Sequence, residues 1–203
     1  MIKIIDYKAG NAPSVMHAIA KLGYKAEFAV TGKDLAGADH IILPGVGSAG
    51  ATMESLDKQG FVEALDKAVL LDKTPFLGIC VGLQVLFDYS HEDGAKCLGW
   101  FGGEVIKFDN KDVRVPQMGW NRVEFLQDTP IRAKDDYFYF VNSYHAVPID
   151  RSIVWGTAEH GSEFVAAVAH KNIFAMQFHV EKSGEAGLRL LKEFLSVEGV
   201  TKC

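Results

Sequence analysis

The sequence predicts an α/β protein with an open, doubly wound, mostly parallel sheet, helices on both faces and added antiparallel strands in the C-terminal half. Short apolar runs alternate with amphipathic helical patterns between residues 1 and 89. From residue 102 onward, successive short strand-like runs replace this alternation. Because no repeat, low-complexity segment or linker interrupts the chain, we expect residues 1–203 to form a single domain.

In the N-terminal half, predicted strands and helices alternate as in a parallel sheet with crossover helices. Pro13 suits the first turn of the first helix, and Gly23 suits its C-terminal cap. The predicted strands are 2–6, 24–30, 40–43 and 76–79, and the predicted helices are 14–22, 53–71 and a segment that starts with Leu83, Val85, Leu86 and Phe87. We expect the functional site at the carboxyl ends of these strands.

In the C-terminal half, short strand-like runs follow one another with brief turns between them. They are residues 104–108, 122–125, 137–141, 153–158, 164–169 and 173–178, and only 185–194 has a helical pattern. Such runs are typical of antiparallel strands. They are expected either to extend the main sheet or to form a second small sheet beside it.

Composition excludes several functional classes. The chain is 48% hydrophobic and 23% charged, as expected of a globular domain, and its net charge of −5 disfavours non-specific nucleic-acid binding. No secretory signal and no run of transmembrane length is visible, so no membrane association is expected. Cys80, Cys97 and Cys203 are an odd number without metal-ligand spacing, which predicts a reducing compartment, the cytoplasm, and no metal site among them. No cofactor is expected.

The segment Gly78-Ile79-Cys80-Val81-Gly82 stands between a predicted buried strand and a predicted helix. A cysteine with glycine two residues away on either side has the form of a nucleophile elbow, in which a sharp turn exposes the reactive atom. The start of a helix also favours a thiolate. Cys80 is therefore a candidate nucleophile, although a small buried cysteine in an ordinary strand-turn-helix has the same pattern.

A second glycine-containing turn follows the predicted strand 40–43. Gly45, Gly47 and Gly50 match the dinucleotide fingerprint G-x-G-x-x-G, but this is not the first strand-helix turn, and the acid at the expected distance, Asp66, lies in a helical pattern. Glycines can also let backbone N–H groups point into a site, as an oxyanion hole requires. If the two strands are neighbours, this turn and the elbow face one centre.

His179 differs from the other histidines because Glu181 follows two residues later. In an extended chain, residues two apart project to the same side, so the carboxylate can orient the imidazole and stabilise its charge. A cysteine, a histidine and a carboxylate are the parts of a nucleophilic acyl-transfer triad. A hydrogen-bonded pair with a purely structural role would show the same spacing.

Aromatic side chains are dense in two segments, 118–121 (Met-Gly-Trp-Asn) and 137–145 (Tyr-Phe-Tyr-Phe-Val-Asn-Ser-Tyr-His). Such side chains are enriched at protein interfaces. Alternate members of the second segment fit core packing equally well.

Taken together, segments 78–84 (Gly-Ile-Cys-Val-Gly-Leu-Gln) and 178–181 (Phe-His-Val-Glu) resemble the triad, or class I, glutamine amidotransferases. Within that family the chain is similar, over residues 6–184, to the glutaminase subunits of imidazole glycerol phosphate synthases. The segments that carry this closer resemblance are Asp6-Tyr7 with Gly10-Asn11, Leu43-Pro44-Gly45-Val46-Gly47, Met118-Gly119-Trp120-Asn121, Tyr139-Phe140-Val141 with Ser143-Tyr144, and Glu181-Lys182-Ser183-Gly184.

The resemblance implies hydrolysis of L-glutamine to glutamate and ammonia through a cysteinyl thioester. Ammonia would pass through the interior of a (β/α)₈-barrel cyclase partner, in a heterodimer, to make imidazole glycerol phosphate and an aminoimidazole carboxamide ribonucleotide in histidine biosynthesis. The same glutaminase chemistry serving a paralogous cyclase-like partner that builds surface sugars is the alternative. A different triad amidotransferase, a scaffolding protein that kept the fold, and a nicotinamide-binding dehydrogenase remain as further alternatives.

The resemblance also implies a role for particular residues. Cys80 would be the nucleophile, His179 the general base and acid, and Glu181 its orienting carboxylate. The backbone of Val46, Gly47 and Val81 would form the oxyanion hole, with the Val46 peptide turning to complete it. The residues implied to hold glutamine are Gly47, Gln84, Glu92, Ser143 and Tyr144. Those implied to meet the partner are Met118, Trp120, Asn121, Tyr139 and Lys182.

The sequence departs from the family pattern at a few positions. Val180 stands where proline is common, so the loop that holds Glu181 loses a restraint on φ. Gln117 and Asn142 replace residues that are often histidine, Lys8 a common glycine and Ala12 a common leucine. None belongs to the triad.

Overall fold

The structure is a computed structural model that describes residues 1–8, 11–109, 111 and 113–198. Gly10 of the resembling segments and Cys203 lie outside the described residues. Thirteen strands form one sheet, in which a parallel half and an antiparallel half meet at β13 (Ile173–Met176). This confirms the predicted fold class and decides the open question of the C-terminal strands, which extend the main sheet.

The parallel half has the strand order β2-β1-β3-β4-β13. Its members are β1 (Ile2–Ile5), β2 (Ala26–Ala29), β3 (His40–Gly45), β4 (Phe76–Cys80) and β13. Every residue of β4 and β13 is buried, which explains why each is a continuous apolar run rather than an alternating one. The C-terminal end of β4 carries Cys80 and lies between the ends of β3 and β13.

The mostly antiparallel half begins at β12 (Ser162–His170), which pairs with β13, with β10 (Tyr144–Pro148) and with the strand β11. One branch continues through β11 (Val154–His160) and β8 (Gln117–Phe125) to β9 (Asp136–Asn142). The other continues through β10 to β7 (Phe101–Lys107), which pairs in parallel with β5 (Phe87–Ser90), and ends at β6 (Ala95–Lys96). The ribbon of β8 and β9 carries most of the residues predicted to meet a partner.

Two helices cover the parallel half with clear apolar faces. In α1 (Ala12–Lys21) the buried residues are Ala12, Val15, Ala18 and Ile19, at helical spacing. In α5 (Gly184–Leu195) they are Gly187, Leu190, Leu191, Phe194 and Leu195. Within the described residues, no helix has both the length and the apolar character needed to cross a bilayer.

The predicted helix 53–71 is wrong in its bounds. It begins earlier, as α2 (Ala49–Lys58), and is interrupted at Gly60, whose φ of 69° lies in the left-handed region. The chain then continues as α3 (Phe61–Leu65) and one π-helical stretch, Asp66–Leu71. Glycine at this φ ends one helix and redirects the next.

The helix predicted after the elbow is also wrong beyond its first turn. It is only α4 (Val81–Gln84), and the chain then enters β5 (Phe87–Ser90). Leu83, Val85, Leu86 and Phe87 are all fully buried, so their apolar character reflects burial rather than one helical face. Strand β10 (Tyr144–Pro148) was not predicted either, because it contains few fully buried residues.

Candidate active site

The elbow around Cys80 has the strained backbone expected where a nucleophile is exposed. Cys80 has φ 56° and ψ −106°, which is unusual for a residue with a side chain and is typical of functional sites. A Cβ on Gly78 would lie 2.3 Å from the Gly82 carbonyl oxygen, and one on Gly82 would lie 2.1 Å from the Leu43 carbonyl oxygen. Both glycines are therefore required by close packing around the turn.

The glycine turn after β3 lies beside the elbow, as predicted from strand adjacency. Gly45 pairs with Cys80 in the parallel register, and a Cβ on Gly45 would lie 2.7 Å from the Val81 Cβ. Gly47 has φ 102°, which favours glycine, and a Cβ there would meet nothing within 4 Å. The turn is thus close to the nucleophile but open at its tip.

Tyr7 underlies this turn. Its hydroxyl oxygen would lie 3.0 Å from a Cβ on Gly45, it accepts from the Thr52 hydroxyl at 3.4 Å, and the Val46 backbone N–H faces it. Burial raises the pKa of Tyr7, with the charge of Cys80 adding to the shift and the two hydrogen bonds opposing it. In this structure the Val46 amide is thus directed to Tyr7.

His179 and Glu181 form the predicted pair. His179 Nδ1 donates to Glu181 Oε1 at 2.8 Å, and the Glu181 side chain is fully buried. Asn11 Nδ2 donates to the same oxygen at 2.7 Å, so the carboxylate is held from two sides. Because Nδ1 is engaged, Nε2 is the ring nitrogen left for the hydrogen bond with Cys80.

The charge on His179 follows from these neighbours. Burial lowers the pKa of His179, but hydrogen bonds and charge interactions with Cys80 and Glu181 outweigh it and raise the pKa to about 10. At neutral pH the imidazole therefore holds a proton beside the sulfur. This is the state from which a cysteine attacks and a histidine protonates a leaving group.

The loop that carries Glu181 is ordered without proline. Val180–Lys182 form a 3-10 turn, and the buried Ser183 bridges it to β9, donating to the His179 carbonyl oxygen at 2.7 Å and accepting from the Tyr139 N–H at 2.9 Å. The His179 N–H donates to the Tyr139 carbonyl oxygen at 2.9 Å. These bonds replace the restraint that Val180 does not supply.

A cleft of about 300 Å³ opens over Cys80. It is lined by all the predicted oxyanion and glutamine-binding residues together with Cys80 and His179, which are largely buried but reach its surface, and Glu181 lies behind His179. Its lining residues are Val46, Gly47, Cys80, Val81, Gln84, Glu92, Pro116, Val141, Asn142, Ser143, Tyr144, His179 and Lys182. The predicted site residues are therefore brought together at the carboxyl edge of the parallel strands.

Glu92 has a position that disfavours the dinucleotide hypothesis. Its carboxylate accepts from the Ala49 N–H at 3.1 Å and so occupies the N-terminus of α2, where a pyrophosphate would bind. Burial raises the pKa of Glu92, the Ala49 N–H opposes the shift and the charge of Asp93 adds to it. A Cβ on Gly50 would touch Asp93, so this glycine accommodates a side chain rather than a phosphate.

The predicted partner-facing residues lie largely on the ribbon of β8 and β9. Met118 is 67% and Trp120 56% exposed, and the Trp120 and Tyr139 rings touch edge to face at 6.0 Å. Asn121 donates to the Glu159 carbonyl oxygen, whereas Lys182 lies exposed at the cleft. A cavity of about 350 Å³ beside Met118, Trp120 and Asn121 shares Pro116 with the cleft, so the two surfaces are continuous.

Three residues near the triad were not predicted to act there. Asn11 holds Glu181, Tyr7 contacts the glycine turn, and Gln177 Nε2 donates to Cys80 Sγ at 3.5 Å. Only Gln177 had a local signal, because it stands two residues before His179 and alternation sends both side chains to one face. The other two contacts depend on the path of the chain.

Residues 3–197 match the family described as glutamine amidotransferase class-I. The chain is 44% identical over 201 residues to the imidazole glycerol phosphate synthase subunit HisH 1 of Campylobacter jejuni (strain RM1221), covering 96% of this chain and 99% of that protein. It is 44% identical over 204 residues to the subunit HisH of Methanocaldococcus jannaschii, covering 97% and 100%. The solved structure of PurLQS from Thermotoga maritima has the same fold, with a TM-score of 0.77 at 20% identity over 96% of each chain.

A strained cysteine elbow beside a buried histidine-carboxylate pair, on this sheet, defines a triad amidotransferase, and the chain belongs to the class-I glutamine amidotransferase family. Within that family it belongs with the HisH subunits of imidazole glycerol phosphate synthase.

Proposed function

We propose that this chain hydrolyses L-glutamine and delivers the ammonia to a (β/α)₈-barrel cyclase, as the glutaminase subunit of an imidazole glycerol phosphate synthase. The observation that carries the proposal is that Cys80 and His179 line one cleft and interact there, while His179 Nδ1 donates to Glu181 Oε1 at 2.8 Å. Chains that share more than two fifths of their residues with this one carry the HisH name.

The reaction follows from the positions of three groups. The Cys80 proton resides on His179, and the sulfur adds to the side-chain amide carbon of glutamine. His179 returns that proton to the nitrogen as the C–N bond breaks, so ammonia leaves and a thioester remains. A water molecule then gives its proton to His179 and adds to the thioester. Collapse releases glutamate and expels the Cys80 thiolate beside protonated His179, which is the starting state.

The oxyanion of each tetrahedral intermediate would be bound by the backbone N–H groups of Val46, Gly47 and Val81. Val81 follows the nucleophile directly, and the register of Gly45 opposite Cys80 supports a place for the other two nearby. Because the Val46 N–H is directed to the Tyr7 hydroxyl, its peptide has to turn for the hole to be complete. A partner that turns this peptide would switch on hydrolysis.

Recognition of glutamine would use the polar lining of the cleft. Glu92 would offer a carboxylate to the substrate ammonium group, and Ser143 and Tyr144 line the same cleft. Gln84 is more restricted, because its Nε2 already donates to the Tyr144 carbonyl oxygen and to Gln177 Oε1. Its own carbonyl oxygen is the atom that remains for the substrate.

The partner would cover the β8–β9 face. Exposed Met118 and Trp120 offer the apolar area typical of interface centres, and this face continues into the cleft at Pro116. Lys182, next to Glu181 and exposed at the cleft, would meet an acidic group of the partner. A cyclase seated here would receive ammonia without its release to water, where protonation would destroy its nucleophilicity.

The proposal is tested by measuring glutamate release by the wild type and Cys80→Ala, each with and without the histidine-pathway cyclase and its nucleotide ligand. We expect slow hydrolysis by the wild type alone, strong stimulation by the liganded cyclase, and none with Cys80→Ala. Size-exclusion chromatography should show that Cys80→Ala still forms the heterodimer.

Two results would contradict parts of the proposal. Full-rate hydrolysis without a partner would disprove the coupling. Stimulation only by a paralogous cyclase-like barrel would assign the same chemistry to the alternative pathway.

A further inference from the structure

Gln177 is the least expected polar contact of the nucleophile. It lies directly after β13 and is fully buried, and its Nε2 donates to Cys80 Sγ at 3.5 Å. Its backbone N–H donates to the Ala166 carbonyl oxygen at 2.8 Å, which fixes the residue to β12. An apolar side chain could fill this part of the core, so core packing alone does not explain a buried amide that is directed at the sulfur.

The amide of Gln177 has a defined orientation. Its Oε1 accepts from Gln84 Nε2 at 3.0 Å, and Gln84 is itself fixed by donating to the Tyr144 carbonyl oxygen at 3.1 Å. With the oxygen engaged in this way, the N–H side of Gln177 faces the sulfur. The chain of hydrogen bonds runs from the wall of the glutamine cleft to the nucleophile.

The sulfur also has a neighbour that opposes negative charge. Cys80 Sγ lies 3.9 Å from the Val141 carbonyl oxygen, which can accept from the thiol but repels a thiolate. Hydrogen bonds to a charged acceptor are stronger than those to a neutral one. A donor from inside the sheet therefore favours the thiolate over the thiol.

We infer that Gln177 is a positioning residue that stabilises the Cys80 thiolate from the side opposite the substrate and links it to Gln84. This inference rests on the proposed function, in which Cys80 is the nucleophile. The other titratable groups around Cys80 are His179 with Glu181 behind it, Tyr7 beneath the glycine turn, and Glu92 and Lys182 in the cleft. Among the described residues, the side-chain hydrogen bonds of Gln177 are to Cys80 and Gln84 and to none of these groups.

The test is the rate of Cys80 alkylation by iodoacetamide between pH 5 and 10, followed by mass spectrometry of the Cys80 peptide in the whole chain. Gln177→Met removes the donor at similar volume, and Gln177→Glu replaces it with a group of the same shape that can carry negative charge. For Gln177→Met we expect the pH midpoint of the alkylation rate to rise by about 0.5–1 unit. At a pH below the midpoint this corresponds to about 3–10-fold less thiolate and an equally slower alkylation. For Gln177→Glu we expect a larger rise.

Asn172→Ala is the matched control. Asn172 is another buried side-chain amide, just before β13, and its Nδ2 donates to the Val69 and Thr74 carbonyl oxygens rather than to the site. The Asn172→Ala variant should be less stable than the wild type but keep its pH midpoint of Cys80 alkylation. An unchanged midpoint in either Gln177 variant that folds, or an equal rise in Asn172→Ala, would overturn the inference.

Alkylation needs neither glutamine nor the cyclase, so it separates this inference from the proposed function. A wild type that never releases glutamate would disprove the function and leave the alkylation result intact. As a second readout, the acidic limb of stimulated kcat/KM in Gln177→Met should move with the alkylation midpoint.

Discussion

Two glycine-containing turns meet at the active site, and they differ in how tightly they are packed. At the elbow, Gly78 and Gly82 leave no room for even one more carbon atom, and Cys80 is held in a strained conformation between them. At the turn after β3, Val46 is 38% exposed and a side chain on Gly47 would meet open space. One turn is fixed by its neighbours, whereas the other has room to change.

This difference divides the chemistry between a preassembled part and an adjustable part. The nucleophile, the histidine and the carboxylate are held by buried hydrogen bonds, so they need no rearrangement. The oxyanion turn lies on the surface with one amide directed to Tyr7. Regulation through this turn would leave the triad intact while the enzyme is idle, which suits a subunit whose product is needed only when the partner is loaded.

The largest effect is expected for Gly82→Ala, which tests the fixed turn. The new Cβ would lie 2.1 Å from the Leu43 carbonyl oxygen, so the strand ends must separate and Cys80 must move. We expect a loss of about 1–3 kcal/mol in the free energy of unfolding and on the order of a 100-fold loss in stimulated kcat/KM. Urea denaturation and glutaminase assays measure the two effects.

Gly47→Ala makes the same substitution in the open turn after β3 and is compared with Gly82→Ala. Its side chain meets no neighbour, and only the φ of 102° opposes it. Hydrolysis should fall because the oxyanion turn is restricted, while Cys80 alkylation keeps the wild-type rate. If Gly47→Ala changed alkylation as much as Gly82→Ala, the two turns would not be independent.

A smaller effect is expected for Tyr7→Phe, which tests what holds the adjustable turn. The substitution keeps the buried ring and removes the oxygen that accepts from the Val46 N–H. Loss of one hydrogen bond of about 0.5–1.5 kcal/mol should raise partner-free hydrolysis by about 2–10-fold and reduce the stimulation ratio. Initial rates of glutamate release with and without the liganded cyclase give both values.

Thr52→Val provides the control for Tyr7→Phe. Thr52 donates to the same hydroxyl at 3.4 Å, and its substitution leaves the Tyr7 oxygen in place, so the stimulation ratio should stay unchanged. A Tyr7→Phe variant with wild-type partner-free activity would mean that Tyr7 does not restrain the turn.

Features that depend on residues close together in the chain were predicted from the sequence. Features that depend on contacts between distant residues were not. The buried parallel strands are continuous apolar runs, and the elbow and the His179–Glu181 pair are defined within five residues, so all were predicted. Strand β10 depends on pairing with β7, from Tyr144 opposite Lys107 to Pro148 opposite Gly103, and it was missed. Its own residues lack the apolar alternation of an independent strand.

The same reason explains the site residues that were missed. Gln177 reaches Cys80 across 97 residues, and Asn11 reaches Glu181 across 170 residues. Such contacts exist only because β13 is inserted beside β4 and α1 packs against the turn after His179. A motif supplies the reactive groups, whereas the topology supplies the groups that orient them.

The smallest effect is expected for Val180→Pro. This substitution introduces the residue that is common in the family into the loop that holds Glu181. Val180 begins a 3-10 turn, a position that accepts the φ of proline, and His179 before it has φ −86° and ψ 92°, which is extended but about 30° short of the ψ range that proline favours in its neighbour. Proline reduces the freedom of the unfolded chain by about 0.4–1 kcal/mol, but it loses part of a side chain that is only 1% exposed. These terms oppose each other, so the free energy of unfolding should change by less than about 1 kcal/mol, with kcat/KM unchanged, because Ser183 and Asn11 already fix Glu181. Thermal and urea denaturation measure the change. A destabilisation of more than about 2 kcal/mol would mean that the turn differs from one that accepts proline.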